Sequence, residues 1–261
     1  MPGRLEDKVA IVTGAGRGIG RATAALLAGE GADVACVART GPELAEAAAG
    51  VRAAGRRAIQ IQADIGDPDA AGLIAAQVQA VLGDVDIVVN NAATVTPVGP
   101  TASIDPDQWA RALAVNAAGP MRLTRALLDG MVKRGWGRIV NVSSGIAAAP
   151  AAMVGMNAYA ASKAALEAHT LNLAAELAGT GVTVNVLRPG MVDTAMPAWI
   201  RAQPPEQIGA ALHDRFMVMR DSGLMAAPAR PADMIVNLVV GEATGQIADA
   251  GSMADVRQLP G

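Results

Sequence analysis

The chain has 261 residues, 52% of them hydrophobic and 17% charged, with a net charge of −3 at neutral pH. That composition supplies a large apolar core and excludes a disordered polar chain, and it offers no polybasic surface for nucleic acid or a membrane. Aromatics are scarce (three Trp, one Tyr and one Phe), so the core must be aliphatic and the lone phenol, Tyr159, calls for a reason.

No apolar stretch reaches the ~18 uninterrupted residues of a membrane span, and the N-terminal Met-Pro-Gly-Arg-Leu-Glu-Asp-Lys has no signal-peptide core. Cys36 is the single cysteine and sits in the apolar run 34–38, as a buried core thiol would. No internal disulfide can form, and a reducing, cytoplasmic setting is expected. His169 and His213 have no second histidine or cysteine at ligand spacing, so no metal site is expected.

In chain order, the first predicted strand is Val9–Thr13, which runs into Thr13-Gly14-Ala15-Gly16-Arg17-Gly18-Ile19-Gly20 and then a helix over 18–29. Strand, glycine turn and helix together make a phosphate-binding device. Gly14, Gly18 and Gly20 remove side chains where backbone turns and approaches a pyrophosphate, and the helix start offers free N–H groups and a positive dipole end. The spacing is G-x-x-x-G-x-G rather than the commoner G-x-G-x-x-G.

The second predicted strand, Asp33–Ala38, ends Ala38-Arg39-Thr40. An acidic residue at this position would bind both ribose hydroxyls and repel a 2′-phosphate; Ala38 followed by Arg39 favours the phosphate. Arg17 approaches from the opposite side. NADP(H) is therefore expected over NAD(H), with a small-molecule partner for the redox step.

Helices at 42–54 and 68–82 flank the third strand, Ala58–Gln62, and the fourth strand, Ile87–Asn90, leads into Asn90-Asn91-Ala92. A single long helix is predicted over 105–134. It contains Asn116, an unfavourable mid-helix residue that is either functional or simply solvent-facing. The fifth strand, 138–143, places Ser144 at the carboxyl edge of the sheet, where its hydroxyl faces a substrate oxygen.

Tyr159 and Lys163 follow in a helix over 157–178. Their i, i+4 spacing puts them on one face, and an ammonium beside a phenol lowers the phenol pKa from about 10, making it a proton carrier near neutral pH. After the sixth strand at 183–187 comes a Met- and Pro-rich excursion over 191–230, expected to cover the carboxyl ends of the strands as a pliable apolar wall or as ordinary core. A weak seventh strand lies at 246–248. Strands that are continuous in Val and Ile, alternating with helices, describe one doubly wound α/β Rossmann-type domain over 1–261, its parallel sheet covered on both faces.

Thr13 to Gly20, Asp64, Asn90-Asn91-Ala92, Asn116, Ser144, Tyr159-x3-Lys163 and Pro189-Gly190, taken together, resemble the short-chain dehydrogenase/reductase (SDR) family over about residues 5–195. The resemblance implies a strand order 3-2-1-4-5-6-7 and a homo-oligomer, tetramer or dimer. It implies Tyr159 as acid/base, Lys163 holding the nicotinamide ribose and tuning Tyr159, Ser144 positioning the substrate, and Asn116 maintaining a water-linked proton path to Lys163. It also implies Asp64 at the adenine, Asn91 supporting the cleft and Thr194 at the carboxamide. Ile19, Ile65, Ala92, Ala93, Pro189, Gly190 and Val192 would line the same cleft with Thr13, Gly14, Arg17, Gly18, Gly20 and Arg39. The implied reaction is hydride transfer between the nicotinamide and a carbonyl or secondary alcohol, of ketone or 3-oxoacyl type. An NAD-dependent alcohol dehydrogenase and a non-catalytic dinucleotide-binding scaffold are the rivals.

The sequence departs from the family pattern at three places. The stretch from Ser144 to Tyr159 is about two residues longer than usual, which leaves Ser143 as an alternative serine. Ala93 replaces a familiar glycine. Ala248-Asp249-Ala250-Gly251-Ser252 follows a shortened helix, where an Asp-Gly-Gly ending is common.

Overall fold

The computed structural model describes residues 3–251, and Ser252 of the C-terminal departure lies outside them. A seven-stranded sheet forms its centre, in the order β3-β2-β1-β4-β5-β6-β7, with every neighbouring pair parallel. The strands are β1 (Val9–Thr13), β2 (Asp33–Ala38), β3 (Ala58–Gln62), β4 (Ile87–Asn90), β5 (Gly137–Val142), β6 (Val182–Arg188) and β7 (Ile247–Asp249). The first four match the predicted bounds; β5 begins and ends one residue earlier, β6 extends by one at each end, and β7 starts one later.

Successive strand residues feed opposite cores, as the two-residue period requires. On β1, Val9 and Ile11 join one apolar cluster while Ala10 and Val12 join the other. The second cluster takes residues from α1 (Gly18–Gly29), α2 (Gly41–Ala53) and α10 (Ala229–Val240), including Leu27, Leu44 and Ile235. The first takes Ile74, Leu123 and Leu173 from α3 (Ala70–Val81), α5 (Gly119–Arg134) and α6 (Asn157–Glu176). Burial on both faces is why the strands carry so little polar alternation.

The predicted helix over 105–134 is not uniform. α4 (Pro106–Leu113) starts at the cap Asp105, whose carboxylate accepts the Asp107 N–H at 2.8 Å, and a π-helical turn over Ala114–Ala118 separates it from α5. The reason is in the sequence: Pro120 has no N–H to give the Asn116 carbonyl, so the regular ladder cannot pass and the turn widens. α5 stops at Gly135, which takes φ 67° and donates to the Met131 and Val132 carbonyls.

Between β6 and α10 the excursion forms α7 (Ala195–Arg201), α8 (Pro205–Ile208) and α9 (Ala210–Asp221). Its base is pinned where Ala226 N–H donates to Met191 O at 2.9 Å and Asp193 N–H to Ala226 O at 3.0 Å. Ile200, Ile208, Leu212, Phe216 and Met219 from these helices pack with Val95, Ile146, Met156 and Tyr159 in a third apolar cluster. The excursion is thus both core and cover. No helix among the described residues is long and apolar enough to cross a membrane.

Candidate active site

Strand order reverses between β1 and β4, and a cavity of about 480 Å³ opens at the carboxyl edge there. Of the catalytic and cofactor-binding residues expected from the sequence, all but Gly20 and Asn116 line it. Those two act from behind the wall.

The floor is a lock between two strand ends. Thr13 Oγ1 accepts the N–H groups of Asn91 and Ala92, each at 3.0 Å, and Asn91 Nδ2 donates to Thr13 O at 2.9 Å and Gly14 O at 3.2 Å. Gly14 has φ +64°, and a Cβ there would lie 2.8 Å from Asn91 Nδ2; a Cβ on Gly20 would lie 2.2 Å from Gly14 O. These glycines serve the close packing of turn, helix and β4. The first turn of α1 has no side-chain cap and no acidic residue, and Gly18 and Ile19 line the cavity, so this uncapped helix start, with its positive dipole end, faces the cleft.

Four charged side chains mark the rim beyond α1. Arg17 Nη1 stands 3.4 Å from Glu43 Oε1, and Arg39 Nη1 3.7 Å from Asp64 Oδ2. Asp64 is held more tightly by Arg111, at 2.6 Å, and accepts the Gly66 N–H at 3.0 Å. Glu43 and Arg111 were not singled out from the sequence; only the fold brings the start of α2 and the last turn of α4 to this rim.

Tyr159 and Lys163 lie on the buried face of α6, with the Lys163 ammonium 5.7 Å from the Tyr159 ring centre. The expectation that this pairing acidifies the phenol is overturned. Burial pushes the Tyr159 pKa up to about 12, opposed by a hydrogen bond with the Ser144 side chain, because a phenolate taken out of water is disfavoured. The same burial lowers Lys163 to about 8, against the Glu167 carboxylate, which raises it. Among the described residues the one hydrogen bond of the ammonium is to Val142 O, at 2.7 Å, which leaves two of its donors for the cavity it lines.

Of the two candidate serines, the Ser143 hydroxyl is committed elsewhere: it donates to Glu167 Oε1 at 2.6 Å. Glu167 is also gripped by Arg188, at 2.9 and 2.6 Å. This buried cluster went unnoticed in the sequence, although the i, i+4, i+8 spacing of Tyr159, Lys163 and Glu167 was there to be read. Ser144 is the serine that meets Tyr159, so the longer stretch before Tyr159 has not displaced it.

Asn116 is fully buried in the π turn, which removes the solvent-facing alternative. Its Oδ1 accepts the Thr94 N–H at 2.8 Å, and its Nδ2 donates to Thr94 O at 2.8 Å and to Ser162 Oγ at 2.9 Å. It joins the segment after β4 to the helix that carries Tyr159. Cys36 is fully buried, with its thiol pushed up to about 11 by burial, so it is an inert core residue.

Glycine turn, cleft and sheet order are those of a dinucleotide-binding α/β protein. The chain belongs to the short-chain dehydrogenase family, whose model matches residues 8–205, and is an oxidoreductase of that family. It is 37% identical over 192 residues to a 3-oxoacyl-[acyl-carrier-protein] reductase of Pseudomonas aeruginosa, covering 74% of this chain and 76% of that one. Among solved structures it resembles the L-sorbose reductase of Gluconobacter frateurii complexed with NADPH and L-sorbose, with a TM-score of 0.84 and 27% identity over 95% of this chain and 97% of that one. An NAD⁺-bound xylitol dehydrogenase is similar to the same degree, with a TM-score of 0.83 and 26% identity over 94% and 98%.

Proposed function

We propose that the chain is an NADP(H)-dependent oxidoreductase that interconverts a ketone or 3-oxoacyl carbonyl and the secondary alcohol, with Tyr159 as general acid/base. The observation that carries this reading is the Tyr159 hydroxyl, buried, hydrogen-bonded with Ser144 and beside the Lys163 ammonium in the cavity that begins at the glycine turn.

The residues fit a nicotinamide dinucleotide. The uncapped start of α1 suits a pyrophosphate, and the spare donors of Lys163 suit ribose hydroxyls. Such a cofactor supplies hydride at its nicotinamide ring, and the protein supplies binding and electrostatics. Ser144 holds the substrate oxygen, and Tyr159 donates its proton to that oxygen on reduction or accepts it on oxidation. Because burial keeps the phenol protonated at neutral pH, the resting site is an acid suited to reduction. Lys163 stabilises the phenolate as it forms, Asn116 steadies α6 through Ser162, and Thr194, against Gly18, borders the nicotinamide end.

Preference for NADP(H) rests on Ala38, which leaves β2 without a terminal carboxylate, and on Arg39, whose neighbour Asp64 is already matched by Arg111. Glu43 and Asp64 on the same rim are what would favour NAD(H), so the ratio of KM values for NADPH and NADH decides the point; a preference for NADH refutes this half of the proposal. Tyr159→Phe is expected to lower turnover by about a thousandfold, in the range of acid/base removal, while NADPH binds as before. Turnover retained within tenfold refutes the assignment of Tyr159.

A further inference from the structure

The part of the cavity lining supplied by the excursion and by the stretch before α6 differs in composition from the part at the glycine turn. Met153, Met156, Met191, Met196, Met219 and Met225 all line the cavity, half of the chain's 12 methionines, together with Ile200, Phe216 and Leu224. They come from the stretch before α6 and from the excursion, so one chamber draws thioethers from two separate segments.

Few ionised side chains line the cavity beyond the cofactor rim. Arg17, Arg39, Glu43 and Asp64 mark the cofactor rim and Lys163 sits on the floor, which leaves Arg230, at the start of α10, as the one other ionised side chain in the lining. Arg201, with its guanidinium 4.0 Å from the Met225 sulfur, does not line the cavity. Uncommitted hydroxyls are few. Thr94 Oγ1 is paired with Thr96 Oγ1 at 2.8 Å, and Thr194 stands at the glycine turn, its methyl against Gly18. Ser144 and Tyr159 remain, enough to satisfy one oxygen.

From this we infer that the substrate is a bulky apolar ketone, cyclic or aromatic, whose reacting carbonyl is the one polar group the chamber satisfies. The inference rests on the oxidoreductase reading above and narrows it. A polyol or ketose would bury several hydroxyls against methionine and phenylalanine without partners, which disfavours it strongly. A charged acid or a phosphorylated arm finds a single counter-ion there, Arg230, amid methionine and phenylalanine. An apolar ring loses nothing on entry, and unbranched, polarizable thioethers adjust to its outline and pack on its faces and edges. In the step itself the carbonyl carbon gains hydride from the reduced nicotinamide, the carbonyl oxygen gains the Tyr159 proton, and the phenolate is reprotonated from solvent. The ketone is reduced to a secondary alcohol and the nicotinamide oxidised.

The test compares kcat/KM with saturating NADPH for 2-tetralone, L-sorbose and an acetoacetyl thioester, with NADPH affinity measured separately. The expected result is a preference of at least about a hundredfold for the tetralone, the scale set when polar groups are buried unpaired. Equal or better reduction of the sorbose or the thioester overturns the apolar class and leaves the oxidoreductase reading standing. No turnover of any of the three while NADPH binds overturns both. As a second readout, Met191→Gln combined with Met196→Gln, at two half-buried positions that tolerate polarity, should raise KM for the tetralone about tenfold and leave the Kd of NADPH within twofold. An unchanged KM overturns the inference.

Discussion

Lys163 shows what one buried ammonium costs and what it is kept for. Desolvation lowers its pKa to about 8, so the folded protein sheds this proton before the unfolded chain does. The sign follows from linkage: the penalty is full below the folded pKa and fades as pH rises from about 8 towards the ordinary lysine value near 10.5. Lys163→Met should therefore raise Tm by about 2–6 °C at pH 7, the scale of one or two kcal/mol in a chain of this size, with the gain shrinking by pH 10. Turnover and NADPH affinity should both collapse. A thermal melt at the two pH values, beside a binding titration, checks this; a variant less stable at pH 7 than at pH 10, relative to the parent, contradicts the burial argument.

On the scale of the element, the π turn is the decisive local structure. Pro120 interrupts the ladder, and the widened turn sends the Asn116 amide between Thr94 and Ser162, tying the β4 exit to α6 with three hydrogen bonds. Asn116→Ala leaves both backbone groups of Thr94 without their partner and removes the donor to Ser162 Oγ, which keeps its own bond to Tyr159 O at 2.8 Å. The cost expected is about 2–4 kcal/mol, from buried polar groups losing their hydrogen bonds. Denaturant midpoints give this value directly, and a loss under 0.5 kcal/mol would mean that the network is ornamental. Because Ser162 lies one residue before Lys163, activity should fall further than stability alone explains.

For the molecule as a whole, cofactor binding and folding are linked, because the cleft exists only when β1, β4, β5 and the excursion are assembled. A ligand at a hundred times its Kd stabilises the fold by about 2.7 kcal/mol, or about 5–10 °C for a chain of this length. NADPH should give a shift of this order, and NADH at equal concentration less than half of it. Equal shifts would remove the case for Arg39. The same assembly orders the excursion: it is tied at Val192 and Ala226, and its helices share their apolar cluster with Tyr159, so the chamber wall and the phenol are ordered together.

Much of this was legible in order along the chain. The continuous Val and Ile strands, the glycine turn and the Tyr159–Lys163 spacing are local signals, because period and backbone conformation are set by near neighbours; they determined the sheet, the uncapped helix start and the chemical pair. Tertiary structure alone decided the state of that pair, since desolvation depends on what packs above the phenol, and burial reversed the direction expected for Tyr159. It also decided which serine meets the phenol, that Asn116 faces inward, and that Glu43, Arg111, Glu167 and Arg188 stand at or beneath the site. Those placements join residues tens of positions apart, and no local pattern encodes a distance across the fold.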